Sequence, residues 1–314
     1  MSYLNIQRVE VPTPFEVGDV NSYLVDETVL VDPGPATENA KEALVEGLAQ
    51  EGVGVEDVDE VVITHPHIDH FGLTSYVVEE SDAQVYVHED AADAVADYAA
   101  QYERERDYFS DLLVKHGMSE DVAETVLRLP GAFLDLAPSV PRESVISVTD
   151  GETFTEASFE AVETPGHSFG SVCALSGDKV FTGDHLLDDT TPNPSLQMPI
   201  DGERSRSVVE YLESLERVAE TDADLAFPGH GERIDDVRGR AEEISEHHEQ
   251  RADEFESLLD EPMTAYELMF EKWTDLPATE QFFGLSESLG HLELLEERGR
   301  VVWLEGEPVR FERA

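Results

Sequence analysis

Four short apolar runs in this 314-residue chain each stop at a turn that carries a histidine or an aspartate. Val61 to Thr64 runs into His65-Pro66-His67-Ile68-Asp69-His70, and Phe159 to Glu163 into Thr164-Pro165-Gly166-His167. Lys179 to Thr182 runs into Gly183-Asp184-His185, and Leu225 to Phe227 into Pro228-Gly229-His230-Gly231. Apolar runs this short, rich in β-branched and aromatic residues, read as buried strands, and the Pro and Gly behind them end each one. Open α/β sheets place their sites in the loops at the carboxyl ends of strands. A fold that brings these four ends together also brings together their histidines and aspartates, and the glycines allow the tight turns and close backbone approach this needs.

Helical spacing separates the strands. It covers Ala36 to Gln50, Thr74 to Glu80 and Ser207 to Glu220. Further strands are predicted at Ser22 to Val25, Thr28 to Val31, Gln84 to Val87, Val145 to Val148, Thr153 to Phe154 and Ser171 to Leu175. This order predicts an α/β main domain over residues 1–236. The charged stretch 89–136, with helices at Ala91 to Tyr108 and Glu120 to Leu129, reads as a helical insertion in it. Beyond Gly231 the pattern changes to three helices, Val237 to Leu259, Ala265 to Lys272 and Leu285 to Arg298, the second opened by the capping-box sequence Thr264-Ala265-Tyr266-Glu267. Val301 to Leu304 and Pro308 to Glu312 then flank Glu305-Gly306-Glu307 as a hairpin, so residues 237–314 are expected to form a small winged-helix-like domain.

The chain carries 71 acidic and 20 basic residues, a formal net charge of −51, and lysine only at 41, 115, 179 and 272. Apolar periodicity runs nearly throughout and the hydrophobic fraction is 40%, which argues for a packed core over acidic disorder. A surface this acidic repels itself in dilute buffer; in a halophilic cytoplasm, where the Debye length falls to about 3 Å at 1 M salt, that repulsion is screened. Cys173 stands alone in the apolar run Ser171 to Leu175, so no intrachain disulfide forms and a buried small hydrophobe is the expected role. Ser2 to Ile6 lacks the basic start and apolar stretch of a signal peptide, and no run reaches the roughly 20 apolar residues needed to span a bilayer. A soluble, cytoplasmic protein without membrane contact is expected.

Eleven histidines in 314 residues make a chance His-x-His-x-Asp-His arrangement rare. A polar loop with incidental histidines is the plain alternative for that segment. Zinc and similar ions take neutral imidazole nitrogens and carboxylate oxygens, and a catalytic site keeps one position open for water. The order His65, His67, Asp69, His70, His167, Asp184, His230 resembles the metallo-β-lactamase superfamily, in the branch of glyoxalase II and the lactamase-beta-like hydrolases. The resemblance covers about residues 15 to 235. It implies a four-layer αββα sandwich in which His65, His67 and His167 hold one metal, Asp69, His70 and His230 a second, and Asp184 bridges them. Two such ions, zinc or else iron or manganese, stand about 3.5–4 Å apart and activate a shared water. In the same likeness Asp69 is also catalytic, orienting that water and shuttling its proton. Asp32, closing a strand in Asp32-Pro33-Gly34, is expected either to orient a ligating histidine or simply to form the turn.

His185 is given no ligand role by the resemblance and is left as a substrate contact, while His88, His116, His247, His248 and His291 are expected to pack or to face solvent. The proline-rich segment Thr190 to Leu196 should be a rigid loop beside the metals, with the insertion and the tail overhanging the site. Three functions compete: hydrolysis of a small ester or thioester, as in glyoxalase II; phosphodiester cleavage, as in lactamase-beta-like endoribonucleases with a winged-helix-like tail; and non-catalytic metal binding. From Glu242 to Ala314 the basic residues are only Arg251, Lys272, Arg298, Arg300, Arg310 and Arg313, which disfavours a nucleic-acid partner. The complete ligand set disfavours the non-catalytic reading. A small acyl substrate is therefore the expectation, and a homodimer is left open.

Overall fold

A computed structural model describes residues 4–199, 204 and 206–314. Six strands, β1 (Ile6–Val11), β2 (Val20–Val25), β3 (Val29–Val31), β4 (Glu60–Val62), β5 (Gln84–His88) and β6 (Val145–Val148), pair in that order to form one sheet. β1 to β3 make an antiparallel meander, whereas β3 to β6 run parallel. A second sheet contains β7 (Thr153–Phe154), β8 (Phe159–Glu163), β9 (Val172–Ser176), β10 (Lys179–Gly183) and β11 (Leu225–Pro228), again side by side in order. Its neighbours are antiparallel except β10 and β11.

Alternation along the strands decides which face each side chain serves. Tyr23, Val25, Val31 and Val62 of the first sheet meet Phe159, Ala161 and Phe181 of the second in a core between the sheets. The opposite face of the first sheet, with Leu24, Leu30, Val61 and Val85, is covered by α1 (Glu38–Gln50), α2 (Ile68–Phe71), α3 (Thr74–Ser81) and α4 (Ala92–Ala96), through Leu44, Phe71, Val77 and Val95. After α4 the chain leaves the sheet as α5 (Tyr98–Lys115) and α6 (Glu120–Arg128). The outer face of the second sheet, Val162, Cys173 and Val180, is covered by α7 (Ser207–Ala219) and by the first half of α8 (Val237–Leu258). Helix, sheet, sheet and helix give the expected four-layer sandwich.

The tail continues from α8 as α9 (Ala265–Lys272), α10 (Gln281–Glu297) and an antiparallel hairpin of β12 (Val301–Leu304) and β13 (Arg310–Arg313). Thr264 and Glu267 form the expected capping box at the start of α9. Phe255, Leu268, Met269, Leu285, Leu289 and Phe311 of the tail share one core with Phe109, Leu113, Met118 and Val126 of the insertion. Backbone bonds join the two segments as well, from the Tyr266 amide to the His116 carbonyl at 3.2 Å and from the Val309 amide to the Lys115 carbonyl at 2.9 Å.

The structure departs from the sequence reading in several places, among them a four-residue helix, α2, within the segment read as a turn, and α5, which runs to Lys115, past the predicted end at Tyr108. β1 was not among the predicted strands, although its Val9 and Val11 alternate inward. The helix expected over Ala91 to Tyr108 is two, because Asp97 leaves helical geometry and its carboxylate accepts the Ala100 amide at 3.1 Å, capping a new start. α10 begins at Gln281, four residues ahead of the predicted Leu285. No helix among the described residues is long and apolar enough to cross a membrane.

Candidate metal centre

The loops behind β4, β8, β10 and β11 converge. After β4 the chain bends at Thr64 and His65, and His67, in extended geometry, opens α2, so Asp69 and His70 rise from that short helix. His167 follows β8, Asp184 follows β10 and His230 follows β11. Two glycines make the convergence feasible. A Cβ on Gly229 would stand 2.6 Å from both Asp184 Oδ1 and His70 Cε1, and Gly183, at φ +48°, abuts the Thr64 hydroxyl.

His65, His67, His167 and Asp184 form one group of candidate donors, and Asp69, His70 and His230 another. In the first, His67 Nδ1 lies 3.0 Å from His65 Nε2 and 3.2 Å from His167 Nε2, which is 3.7 Å from Asp184 Oδ2. In the second, His230 Nε2 lies 3.6 Å from Asp69 Oδ2, and Asp184 Oδ1 is 3.4 Å from His70 Nε2 and 3.6 Å from His230 Nε2. Asp184 thus turns one oxygen to each group. Donors about 2.0–2.1 Å from a tetrahedral ion stand roughly 3.3 Å apart, and both groups have that spacing.

The outer nitrogen of four rings is engaged by an acceptor. Asp32, buried at the end of β3 and at φ +48°, accepts the Thr64 amide and hydroxyl at 2.9 and 2.6 Å and His70 Nδ1–H at 3.0 Å. Because the Thr64 hydroxyl already donates to Asp32, it accepts from His65 Nδ1–H at 3.0 Å. His167 Nδ1–H donates to the Asn193 carbonyl at 3.2 Å and His230 Nδ1–H to the Asp19 carbonyl at 2.8 Å. Each Nε2 lone pair is thereby left to face inward, as second-shell acceptors arrange it in metal sites. His70 Nε2, His230 Nε2 and Asp184 Oδ1 are buried without any hydrogen-bond partner. Orphaned buried donors and acceptors are costly, and a divalent cation is the group that would satisfy all three. The residues present therefore fit a metal.

Burial, together with the imidazoles around them, holds His65 and His67 below the usual histidine range, His67 at about 3. Burial also lowers His167. All three are then neutral near pH 7, as donors to a metal must be. Burial would lower His70 as well, but the Asp184 and Asp69 carboxylates hold it well above its ordinary value; Asp69 and Asp184 raise His230 against burial in the same way. Burial would raise Asp184 and Asp69, yet the His70 imidazole leads the partners that keep Asp184 well below and Asp69 below the usual carboxylate value.

The sequence pattern of the metallo-β-lactamase superfamily matches residues 15–230, over half of the chain and a span that contains both groups. The chain belongs to this superfamily. Over 99% of its length it is 33% identical to the probable metallo-hydrolase YqjP of Bacillus subtilis, of which it covers 98%. It is 28% identical over 68% of its length to the probable metallo-hydrolase MJ0888 of Methanocaldococcus jannaschii, covering 87% of that protein. The crystal structure of the metallo-β-lactamase family protein TTHA1429 from Thermus thermophilus superposes with a TM-score of 0.80 at 31% identity, with 98% of each chain covered. That likeness takes in the insertion and the tail as well as the sandwich.

All seven residues expected as ligands lie in the two groups, and Asp32 sits where a ligand-orienting carboxylate would. His185 does not join them. It is buried against Tyr211 at a ring distance of 5.2 Å, and the Tyr211 hydroxyl donates to its carbonyl. His116 packs between Trp303 and Phe311, and His248 and His291 stack in the tail. His247 is half-buried, and His88 lies 3.5 Å from Asp90 and 3.9 Å from Glu163. Cys173 is buried, its thiol pushed up to about 12 by that burial. Sequence reasoning missed the parts played by Thr64, Asp19 and Asn193. Thr64 adjoins a ligand and was within reach of inspection, but the other two act through backbone carbonyls, which any residue supplies.

Proposed function

We propose that this protein hydrolyses small esters or thioesters, in the manner of glyoxalase II, with water activated between two divalent cations. The observation that carries this reading is the trio of buried inner atoms that face one another without forming a hydrogen bond, His70 Nε2, His230 Nε2 and Asp184 Oδ1. His65, His67 and His167 would hold one cation, Asp69, His70 and His230 the other, and Asp184 both. Nitrogen and carboxylate donors suit zinc, with iron or manganese as alternatives. Cations held there would lower the pKa of a bound water and polarise the acyl carbonyl. Asp69 lies 3.6 Å from His230 Nε2 and beside His70 in the second group, so its carboxylate is placed to orient that water and take its proton for delivery to the leaving group. Asp32, Thr64, Asp19 and Asn193 hold the ring planes, so the donors need no rearrangement as charge develops. His67 and His167 are partly exposed, which makes their side the entry for substrate.

Phosphodiester cleavage fits less well. Arg251, Lys272, Arg298, Arg300, Arg310 and Arg313 are each engaged by a carboxylate, such as Glu287 for Arg251 and Glu267 for Arg310. Phosphate binding needs free cations. We read the tail as a winged-helix-like unit, completed by the insertion, that borders the acyl substrate.

The test is turnover of a thioester, a carboxylic ester and RNA by metal-assayed protein in molar KCl. Acyl hydrolysis that chelation abolishes and zinc restores is expected, with RNA left intact. RNA cleavage would move the assignment to phosphodiesters, and full metal occupancy with no turnover would favour a binding protein.

A further inference from the structure

The loop from Thr190 to Leu196 lies between the His167 turn and the tail, and it grips that turn at several atoms. The Asn193 carbonyl accepts His167 Nδ1–H at 3.2 Å, and the Ser195 amide donates to the His167 carbonyl at 3.4 Å. Gln197, next along the chain, donates its side-chain amide to the Gly166 carbonyl at 2.9 Å. The loop itself forms neither helix nor strand, and Pro192 and Pro194 have no amide hydrogen to build one. Its shape is fixed from outside.

The fixing groups belong to the tail. Ser286, fully buried in α10, accepts the Leu196 amide at 2.6 Å and donates to the Pro194 carbonyl at 3.3 Å, so one hydroxyl spans Ser195. A serine inside a helix ordinarily bonds back to the carbonyl four residues earlier. Ser288, two positions along the same helix, does that, donating to the Gly284 carbonyl at 2.8 Å, whereas the Ser286 hydroxyl is turned to the loop. Leu196 is buried in the same core as Leu285 and Leu289. At the other end of the loop, Arg240 of α8 donates to the Thr190 carbonyl at 3.0 Å and to the Leu187 carbonyl at 2.7 Å.

We propose that Ser286 and Arg240 are positioning residues of the metal centre: through the loop from Thr190 to Leu196 they set the ring plane and tautomer of His167, so the tail tunes how tightly the first donor group holds its cation. This rests on His167 being a metal donor. The path is short, since Ser286 fixes the peptides on either side of Ser195, Asn193 lies one residue beyond Pro194, and the Asn193 carbonyl holds Nδ1 of His167. Without Ser286 the Pro194 carbonyl and the Leu196 amide lose their shared partner, so the Asn193 carbonyl that selects the Nδ1–H tautomer is held less firmly and the Nε2 lone pair is aimed less closely.

The experiment titrates the full-length protein, stripped with a chelator, with Co(II) and with Zn(II), comparing the parent with Ser286→Ala, Arg240→Met and His167→Ala. Ser286→Ala is expected to weaken one of two binding steps by about tenfold to a hundredfold, to shift the visible absorption of cobalt at that site, and to leave the other step at the parent's affinity. Arg240→Met should act in the same direction by a smaller factor and carries the test if Ser286→Ala does not fold. Parental affinities and cobalt spectra in both variants, beside a His167→Ala variant that has lost one step, would overturn the positioning role alone. Equal weakening of both steps would do so too, since it reports general loosening. Parental binding by His167→Ala would remove the ligand assignment beneath it.

Discussion

Asp184 is the residue on which both donor groups depend, because Oδ2 faces His167 and Oδ1 faces His70 and His230. Asp184→Ala is therefore expected to remove most bound metal and at least about a hundredfold of activity. Its circular dichroism should stay near the parent's, since the candidate donors lie in loops and one short helix behind strands that remain packed; metal content like the parent's would sink the bridging role. Protons supply a second prediction. His70 and His230 are held above their ordinary values by Asp184 and Asp69 in the metal-free chain, so near pH 7 a cation entering the second group displaces protons. Zinc affinity should rise with pH until those raised values are passed. Calorimetry at pH 7 in buffers of different ionisation enthalpy should report release of roughly one to two protons, and no net release would contradict the assignment. The candidate donors were legible in the sequence because each needs a particular side chain after an apolar run. The Asn193 and Asp19 carbonyls were not, because a carbonyl leaves no mark on composition, and the hold of Ser286 on a segment 90 positions away depends on packing that no local pattern encodes.

Among the elements, α8 does most to join the parts of the molecule. Its first half, with Val237, Ala241 and Ile244, covers the second sheet, and its second half, with Ala252 and Phe255, enters the core shared by tail and insertion. At 1.5 Å per residue it spans about 33 Å. Helical periodicity located α8 and α9 because their apolar positions repeat cleanly. It ran two helices together at Asp97, where an acidic cap looks like one more solvated residue, and it started α10 late because Gln281-Phe282-Phe283-Gly284 carries no stop or start signal. Nothing local told that α5 would pack on the tail. Leu113, fully buried in α5 within the shared core, tests that joint. Leu113→Ala should cost about 2–5 kcal/mol. It should also speed amide hydrogen exchange in α9 and in the β12–β13 hairpin, while β4 and β10 keep parental protection. Faster exchange confined to α5 and α6 would mean that the tail holds its fold without the insertion.

For the molecule as a whole, charge is the dominant condition. The chain has 51 more acidic than basic residues, and most of its cations are already paired, as with Arg8 and Glu232, Arg217 and Asp150, and Arg298 and Glu249. Two opposed effects of salt follow. Screening weakens such exposed pairs, each worth about 0–1 kcal/mol, but it also weakens repulsion among the far more numerous unpaired carboxylates. With so large an excess of one sign the second effect should win, so the melting temperature should climb from dilute buffer to molar KCl. The two contributions differ in range, which allows a sharper test. Screening is nearly complete once the Debye length has dropped to about 3 Å at 1 M. A rise that levels off near that concentration identifies repulsion as what salt relieves, whereas a rise continuing steadily to 3 M points to exclusion of salt from the surface and stronger apolar burial. The same cooperative transition and melting temperature with and without KCl would show that the fold carries its charge unaided, and the reading of this surface as an adaptation to molar salt would fall.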